Sequence, residues 1–278
     1  RAGNDAYVAE PRAEVSGRPS YHSDLKISVS NAQGCAMGRR GDGSDGHNWA
    51  GGLGALVDIE GDDSYRSGNW SMGTGYWFGV GALYDGAGDD TYDGYVWSQA
   101  TGAHFCIGLL LDEGGNDRHL SHSHNSLAFG HDFTHALLID LGGDDRYETP
   151  ADGLGYSINR SVAMLVDVGG NDTYRGKEAQ PAEKGKKAAP AGTPGFARYD
   201  ERFADTGALS TYLVDSSSIG LFLDVGGKDS YWATDLNGKT WGDRPGSPNW
   251  KVRNVGVGLD VAKGEIDWRA LPVKGERR

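Results

Sequence analysis

Several features that mark common protein classes are scarce or missing in this sequence. Only two cysteines, Cys35 and Cys106, occur among 278 residues, which is too few for a disulfide framework. The two thiols either pair with each other or stay free and buried. No apolar run approaches the roughly 18 residues that indicate a membrane-spanning helix, so we expect no membrane span. Runs of Ala, Leu, Glu and Lys are also absent, which argues against a helical repeat protein.

Positive charge is in deficit, and glycine is in excess. Lys and Arg number 27 against 39 Asp and Glu, a formal net charge of −12. Because nucleic-acid binding needs clustered Lys and Arg, we expect no nucleic-acid partner.

Glycine accounts for 45 of the 278 residues, more than twice its usual share of about 7%. This composition indicates a folded chain that is poor in helix.

One phrase recurs along the chain: apolar residues, Asp, two spacers, Gly, Asp or Asn, Asp, any residue, Tyr. The six strong copies are Leu56–Tyr65, Leu83–Tyr92, Leu110–His119, Leu138–Tyr147, Leu165–Tyr174 and Phe222–Tyr231. Their first aspartates are 27, 27, 28, 27 and 57 residues apart, and the last gap is interpreted as about two periods with an insertion. Weaker copies at Asn31–Gly34, Gly3–Tyr7 and Gly258–Asp260 extend the series.

A period of 27 residues with recurring Gly and Asp is typical of one turn of a β-solenoid. We therefore predict an all-β, single-domain β-solenoid over residues 1–278, a right-handed parallel β-helix with about nine coils of roughly 27 residues. Residues 176–197, rich in Lys, Ala and Pro, are predicted to be a flexible insertion, and residues 261–278 a C-terminal tail. Because the chain opens inside a repeat, we expect the natural protein to continue upstream.

The residues before each first Asp alternate in size. Large apolar residues such as Phe105, Ile107 and Leu109 alternate with small ones such as Cys106 and Gly108. This alternation predicts a β-strand in each repeat. We expect the large side chains to fill the core, and the small ones to form a flat strip that another layer of protein covers.

Two aspartates recur in every strong copy of the phrase. The first aspartates are Asp58, Asp85, Asp112, Asp140, Asp167 and Asp224, and the second aspartates are Asp63, Asp90, Asp117, Asp145, Asp172 and Asp229. Stacked like charges repel. The carboxylates therefore either cap backbone N–H groups of the glycine turns or bind Ca²⁺ between coils. The predicted calcium ligands are Asp85, Asp90, Asp112, Asp117, Asp140, Asp145, Asp167 and Asp172.

The Gly–Asp part of the phrase resembles, in part, the calcium-binding nonapeptide of RTX-type repeats. Gly114–Asp117 and Gly169–Asp172 carry the resemblance. It implies calcium as a cofactor, although the RTX motif recurs about every nine residues and this phrase only once per repeat. At the level of fold, the repeat pattern resembles right-handed parallel β-helix proteins over most of the chain.

The histidines cluster: six of the eight lie between positions 104 and 135. Eight residues before the first Asp, successive repeats place Trp77, His104, Asp132 and Asn159 in one column. His104 beside Asp132 predicts a general base that a carboxylate orients. The one 28-residue gap leaves a second possibility, that His131 replaces Asp132 in the column.

Two functions follow from these patterns. We expect an extracytoplasmic scaffold (extracellular, periplasmic or at the cell surface) for adhesion or assembly, with another protein chain or a polysaccharide as partner and calcium as a stabilising ion. The regular repeat supports it, as does the absence of a nucleotide loop, a nucleophile elbow or a fixed metal motif. The alternative is a polysaccharide-acting lyase or hydrolase. Its predicted catalytic residues are His104, Asp132 and His131, and its predicted substrate-binding residues are Trp77, Trp97 and Asn159.

Overall fold

A computed structural model of the chain describes residues 3–16, 26–41, 45–179, 181, 192–198, 217–232, 234–243 and 254–261. Much of the predicted insertion and nearly all of the predicted tail lie outside this part. The one helix among the described residues is α1 (Ala13–Ser16), and none there has the length and apolar character to cross a membrane.

The rest of the described secondary structure is β. The strands are, in chain order, β1 (Ala6–Val8), β2 (Val29–Ala32), β3 (Ala36–Met37), β4 (Leu53–Val57), β5 (Ser64–Arg66), β6 (Asn69–Ser71), β7 (Gly75–Tyr76), β8 (Val80–Asp85), β9 (Thr91–Gly94), β10 (Gly102–Ala103), β11 (Ile107–Asp112), β12 (Arg118–Ser121), β13 (Phe129–His131), β14 (His135–Asp140), β15 (Arg146–Glu148), β16 (Tyr156–Ile158), β17 (Val162–Val168), β18 (Thr173–Arg175), β19 (Ala197–Arg198), β20 (Ser218–Val225), β21 (Ser230–Tyr231), β22 (Thr240–Gly242) and β23 (Asn254–Val261).

The strands form three long sheets and one short one. The seven-stranded sheet has the order β1-β5-β9-β12-β15-β18-β21, the six-stranded sheet β3-β7-β10-β13-β16-β19, and the eight-stranded sheet β4-β8-β11-β14-β17-β20-β23-β22, while β2 pairs only with β6. All pairs are parallel except β22 with β23. Each repeat contributes a strand to successive sheets, so equivalent residues of neighbouring repeats pair. This all-β arrangement of long parallel sheets is compatible with a β-solenoid.

The pairing register corrects how the repeats were counted. Asp167 pairs directly with Asp224, so the 57-residue gap is one repeat step that contains an insertion, not two periods. Ala32, in the weak copy near the N-terminus, pairs with Ser71 and not with a copy of the phrase. Among the described residues, the eight-stranded sheet contains seven mutually parallel strands, fewer than the predicted coils.

The predicted assignment of large and small residues to the two faces of this sheet is wrong. The small residues point inward: Gly108 is buried, and a Cβ there would lie 2.0 Å from the backbone oxygen of Thr101. The interior is thus too narrow for large side chains at these positions. Phe105 and Ile107 point outward and are 44% and 43% exposed. The strip of small residues is covered, as predicted, and the covering layer belongs to the same chain.

The interior is filled by side-chain columns that run across the repeats. One column consists of leucines and Phe222, and another of stacked rings; both are buried. The buried rings are Tyr65, Tyr92, His119, Tyr147 and Tyr174, with neighbouring centroids 4.6 to 5.1 Å apart. Tyr7 and Tyr231 extend the stack at its two ends. Equivalent residues meet because parallel strands repeat about every 4.8 Å.

Candidate functional site

The second aspartates form a buried ladder between repeats. In each of them Oδ1 accepts a backbone N–H from the repeat before it, as Asp117 does from Asp90 at 2.6 Å and Asp145 from Asp117 at 2.7 Å. The capping interpretation is therefore correct for this oxygen. The donor belongs to the neighbouring repeat, however, and not to the same glycine turn.

The first aspartates receive the hydroxyl groups of the tyrosine column. Tyr92 donates to Oδ2 of Asp112 at 2.6 Å, and Tyr174 to Oδ2 of Asp167 at 2.7 Å. Oδ1 of Asp112 accepts the N–H of Gly114 within the turn at 2.9 Å. Each Tyr therefore has a buried partner seven residues before it or in the next repeat.

Burial and mutual repulsion raise pKa values in both sets of aspartates. Desolvation, opposed by the hydrogen bond from Asp63 and reinforced by Asp85 and Asp112, raises the pKa of Asp90 to about 8. Burial together with the neighbouring Asp112 carboxylate also raises the pKa of Asp117. Desolvation penalises the charged form, and like charges add to that penalty.

The His–Asp cluster, which consists of His104, His131 and Asp132, lies at a corner between the six-stranded and eight-stranded sheets. Ala103 pairs with His131, and Ile107 with His135, so the column places Asp132 beside His104. Nδ1 of His104 lies 2.9 Å from Oδ2 of Asp132. The alternative alignment, in which His131 takes the place of Asp132, is thereby excluded.

Both imidazoles nevertheless approach the same carboxylate. Nδ1 of His131 lies 3.2 Å from Oδ2 of Asp132, without hydrogen-bond alignment. Asp132 has a left-handed backbone with φ of 52°, so the alternation of a regular strand ends there. Asn159 donates to Oδ1 of Asp132 at 2.8 Å. Burial acts to raise the pKa of Asp132, but the hydrogen bonds and the two imidazoles outweigh it and hold that pKa below its usual range.

Arg40 completes the surroundings of His104. Its Nη1 donates to Nε2 of His104 at 2.7 Å, and its guanidinium lies 5.5 Å from the ring centre of Trp77. Since Nε2 accepts a hydrogen bond, Nδ1 carries the proton that faces Asp132. The cluster meets the distance requirement for a metal ion, and binding through Nδ1 would require release of that proton.

The predicted substrate-binding residues differ in accessibility. Trp77 flanks the cluster, and next to it Phe78 and Phe105 stack at 5.2 Å and are about half exposed. Trp97 is 5% exposed and stacks on Trp70, so a sugar ring could not lie on it without displacing other side chains. Asn159 is buried and donates a hydrogen bond to Asp132.

A separate cavity of about 300 Å³ lies further along the six-stranded sheet. Its lining includes Tyr156, Arg198, Asp152 and Trp232 but none of the His–Asp cluster. The cluster itself is open to solvent only in part, with side chains 15 to 23% exposed.

Sequence spacing missed two features of these sites. Arg40 lies 64 residues before His104 and outside the repeated phrase, so no spacing marks it. The Tyr–Asp hydrogen bonds could have been predicted from the sequence, because Tyr follows the first Asp by seven residues in the strong copies. Cys35 and Cys106 are free thiols.

No family model, no curated protein and no solved structure matches the chain.

Proposed function

We propose that the protein is an extracytoplasmic right-handed parallel β-helix of the kind that serves as an assembly scaffold, and that it self-associates through the outer face of the eight-stranded sheet. The observation that supports this proposal is the composition of that face. In its seven mutually parallel strands the outward side chains are uncharged, and all are apolar except His135 and Tyr84; Thr240 of β22 and the exposed Glu113, which follows β11, border them.

Parallel sheets are normally covered on both faces. Here the inner face packs on the same chain, whereas Leu53, Val57 and Ile107 on the outer face are 74%, 54% and 43% exposed. Toward the C-terminal end the outer face becomes buried, with Leu223 at 7% and Leu259 at 5%. The open part therefore spans β4, β8, β11, β14 and β17.

The size of this open part fits a second copy of the chain. Five strands of about six residues cover about 500 Å² at 3.3 Å per residue and 4.8 Å between strands. Two such faces bury about 1,000 Å², the lower limit for a specific interface. In a two-fold contact the same patch of both copies meets, an apolar patch can bury itself in this way, and two sheets can pack face to face about 10 Å apart.

The test is the molar mass in solution, measured by sedimentation or light scattering. We expect a dimer that Ile107→Lys converts to a monomer, because the substitution places a charge on β11, the central strand of the open face. Val8→Lys, a change of an exposed apolar residue on the seven-stranded sheet, is the matched control. A wild-type protein that stays monomeric at high concentration would refute the self-association.

A second candidate function is supported by the His–Asp cluster. We infer acid–base catalysis on an acidic polysaccharide, because Asp132 fixes the tautomer of His104 and Arg40 provides a cation for a substrate carboxylate. Among the described residues, Asp132 is the one carboxylate paired with either imidazole. Glycoside hydrolysis commonly uses two carboxylates, so elimination fits better than hydrolysis.

In this elimination, the substrate carboxylate draws Arg40 away from His104. Nε2 of His104 takes the proton from the carbon next to that carboxylate, and the electron pair forms a carbon–carbon double bond. The glycosidic oxygen leaves with a proton from the imidazole of His131, which lies 3.2 Å from Asp132. No external oxidant or reductant is needed.

The measurement is the ultraviolet absorbance of the unsaturated product on a panel of uronic-acid polysaccharides. Asp132→Asn and His104→Gln should lower kcat by about 10²- to 10⁴-fold, the usual contribution of a general base. His122→Gln, an exposed histidine outside the cluster, is the control. Equal rates in all these variants, or no turnover of any polymer, would leave only the scaffold.

A further inference from the structure

The buried aspartates leave a regular set of carboxylate oxygens without hydrogen-bond partners. Oδ1 of each second aspartate is occupied by a backbone N–H, but Oδ2 has no partner in any of the six. The residues are Asp63, Asp90, Asp117, Asp145, Asp172 and Asp229. All six are at most 8% exposed. Buried polar atoms almost always have partners, so six equivalent exceptions indicate a missing ligand.

The first aspartates add oxygens to the same places. Their Oδ2 atoms accept tyrosine hydroxyls, and Oδ1 is without a partner in Asp85, Asp167 and Asp224. These three carboxylates are fully buried. The unpartnered atoms thus come from two columns that face each other across the turn.

The oxygens converge in groups of three. One group consists of Asp63, Asp85 and Asp90, and the next of Asp90, Asp112 and Asp117, with one oxygen of each residue within 4.8 Å of the others. Successive groups share a second aspartate, so the groups form a continuous column along the repeats. Each repeat contributes two buried carboxylates to the column.

No basic side chain balances this charge. Among the described residues, no Lys or Arg forms an ion pair with a second aspartate. The one imidazole nearby is His119, 3.3 Å from Asp140. Buried carboxylates without compensation are costly, and one divalent cation per repeat would balance two of them.

We propose that the aspartate column binds a row of calcium ions, one between each pair of neighbouring repeats. Each ion is held by Oδ2 of two successive second aspartates and by a first aspartate between them. The ligand atoms are all carboxylate oxygens, which suit a hard cation and not Zn²⁺. The site is buried, and Mg²⁺ retains several waters, so the larger Ca²⁺ fits better.

The expected function of these ions is structural, and it does not depend on the proposed dimer or on the His–Asp cluster. The ions would join consecutive repeats at the turns, in addition to hydrogen bonds such as that from Gly88 to Gly114. Extracellular modules bind Ca²⁺ at roughly 10⁻⁴ to 10⁻³ M, a range that fits an extracytoplasmic protein.

The experiment uses the full chain and calcium chloride alone. After dialysis against calcium, we expect elemental analysis to find at least four bound ions per chain, the number of aspartate groups described between Asp5 and Asp145. Removal of the ions with a chelator should lower Tm by more than 10 °C, and Ca²⁺ should restore it better than Mg²⁺.

Two neighbouring residues provide a matched pair of variants. Asp145→Asn keeps the Oδ1 acceptor but removes a ligand, and it should lose one or two ions and much of the calcium-dependent Tm shift. Asp144→Asn makes the same change at an exposed position and should lose neither. No bound calcium and no chelator effect in the wild type would overturn the proposal, as would equal losses in both variants. Should Asp145→Asn fail to fold, the wild-type stoichiometry still decides.

Discussion

Without metal ions, the protein should become less stable as the pH rises from 5 to 7. The reason lies in Asp90 and Asp224, whose pKa values burial raises to about 8 from an ordinary value of 3.8. Between pH 5 and 7 both carboxyl groups are protonated in the folded chain and already ionised in the unfolded chain. A raised folded-state pKa means that the contribution to stability is complete below pH ~4 and is lost progressively as the pH rises through about 8.

The magnitude follows from proton linkage. Each such group changes the free energy of unfolding by about 1.4 kcal/mol per pH unit, or about 2.7 kcal/mol between pH 5 and 7. For a domain of this size, about 1 kcal/mol corresponds to a Tm shift of roughly 2–4 °C, so one group alone should lower Tm by roughly 5–10 °C and two by about twice that. The loss is large beside a typical total stability of about 5–15 kcal/mol.

The assay is thermal unfolding in the presence of a chelator at several pH values. Asp90→Asn should reduce the slope by about one proton, whereas Asp144→Asn should leave it unchanged. Saturating calcium should flatten the curve, because bound ions replace the protons. A Tm that is constant or rises from pH 5 to 7 in chelator would refute the argument, whether or not calcium binds.

Three further experiments test the interior of the repeats. Gly142 and Gly143 have nearly the same φ, 145° and 149°, but a Cβ at Gly143 would lie 1.3 Å from a backbone oxygen and one at Gly142 would lie 3.3 Å from its nearest atom. Gly143→Ala should therefore abolish folding, while Gly142→Ala should cost about 1–3 kcal/mol; similar Tm values by circular dichroism would contradict this. His119→Tyr restores the ring of the repeat and should keep or raise Tm, whereas a large loss would show that the imidazole is needed beside the carboxylates. Asp117→Ala should destabilise the protein more than Asp5→Ala in urea unfolding, because Asp117 has neighbours on both sides.

The sequence predicted which residues of neighbouring repeats share a column better than whether a side chain points inward or outward. Counting back from the first aspartates placed His104, Asp132 and Asn159 in one column, which the pairing register confirms, but it left His131 open as an alternative to Asp132. The extra residue of the 28-residue repeat lies between Ser121 and Asn125, outside the column, so the register survives. Without coordinates, the gap could not be assigned to one side of the column or the other.

The inward and outward faces could not be assigned from the sequence because both are apolar. An alternating strand usually has one polar side, which reveals its orientation. In β11 the inward side carries Gly108 and Leu110 and the outward side carries Ile107 and Leu109, and only the width of the interior decides between them. That width depends on Thr101 of the six-stranded sheet, which no local pattern reports.

Two columns of the repeated phrase can be compared to ask whether hydrogen bonding alone explains the buried aspartates or whether a bound ion is also needed. Next to the buried second aspartates lies an exposed column, whose members are Asp62, Asp89, Asn116, Asp144, Asn171 and Lys228. It forms a similar ladder of opposite direction: a side-chain Oδ1 accepts the N–H of the next repeat, as Asp89 does from Asn116, whereas the donor in the buried ladder lies in the repeat before. An Asn serves this ladder as well as an Asp, and neutral residues there relieve the repulsion between like charges. The buried ladder also uses one Oδ1 acceptor per repeat, yet it keeps Asp in every strong copy, although repulsion between like charges costs most in the interior. Hydrogen bonding alone would favour Asn in the interior first, and the proposed cation, which both carboxylate columns would share, accounts for the retained Asp.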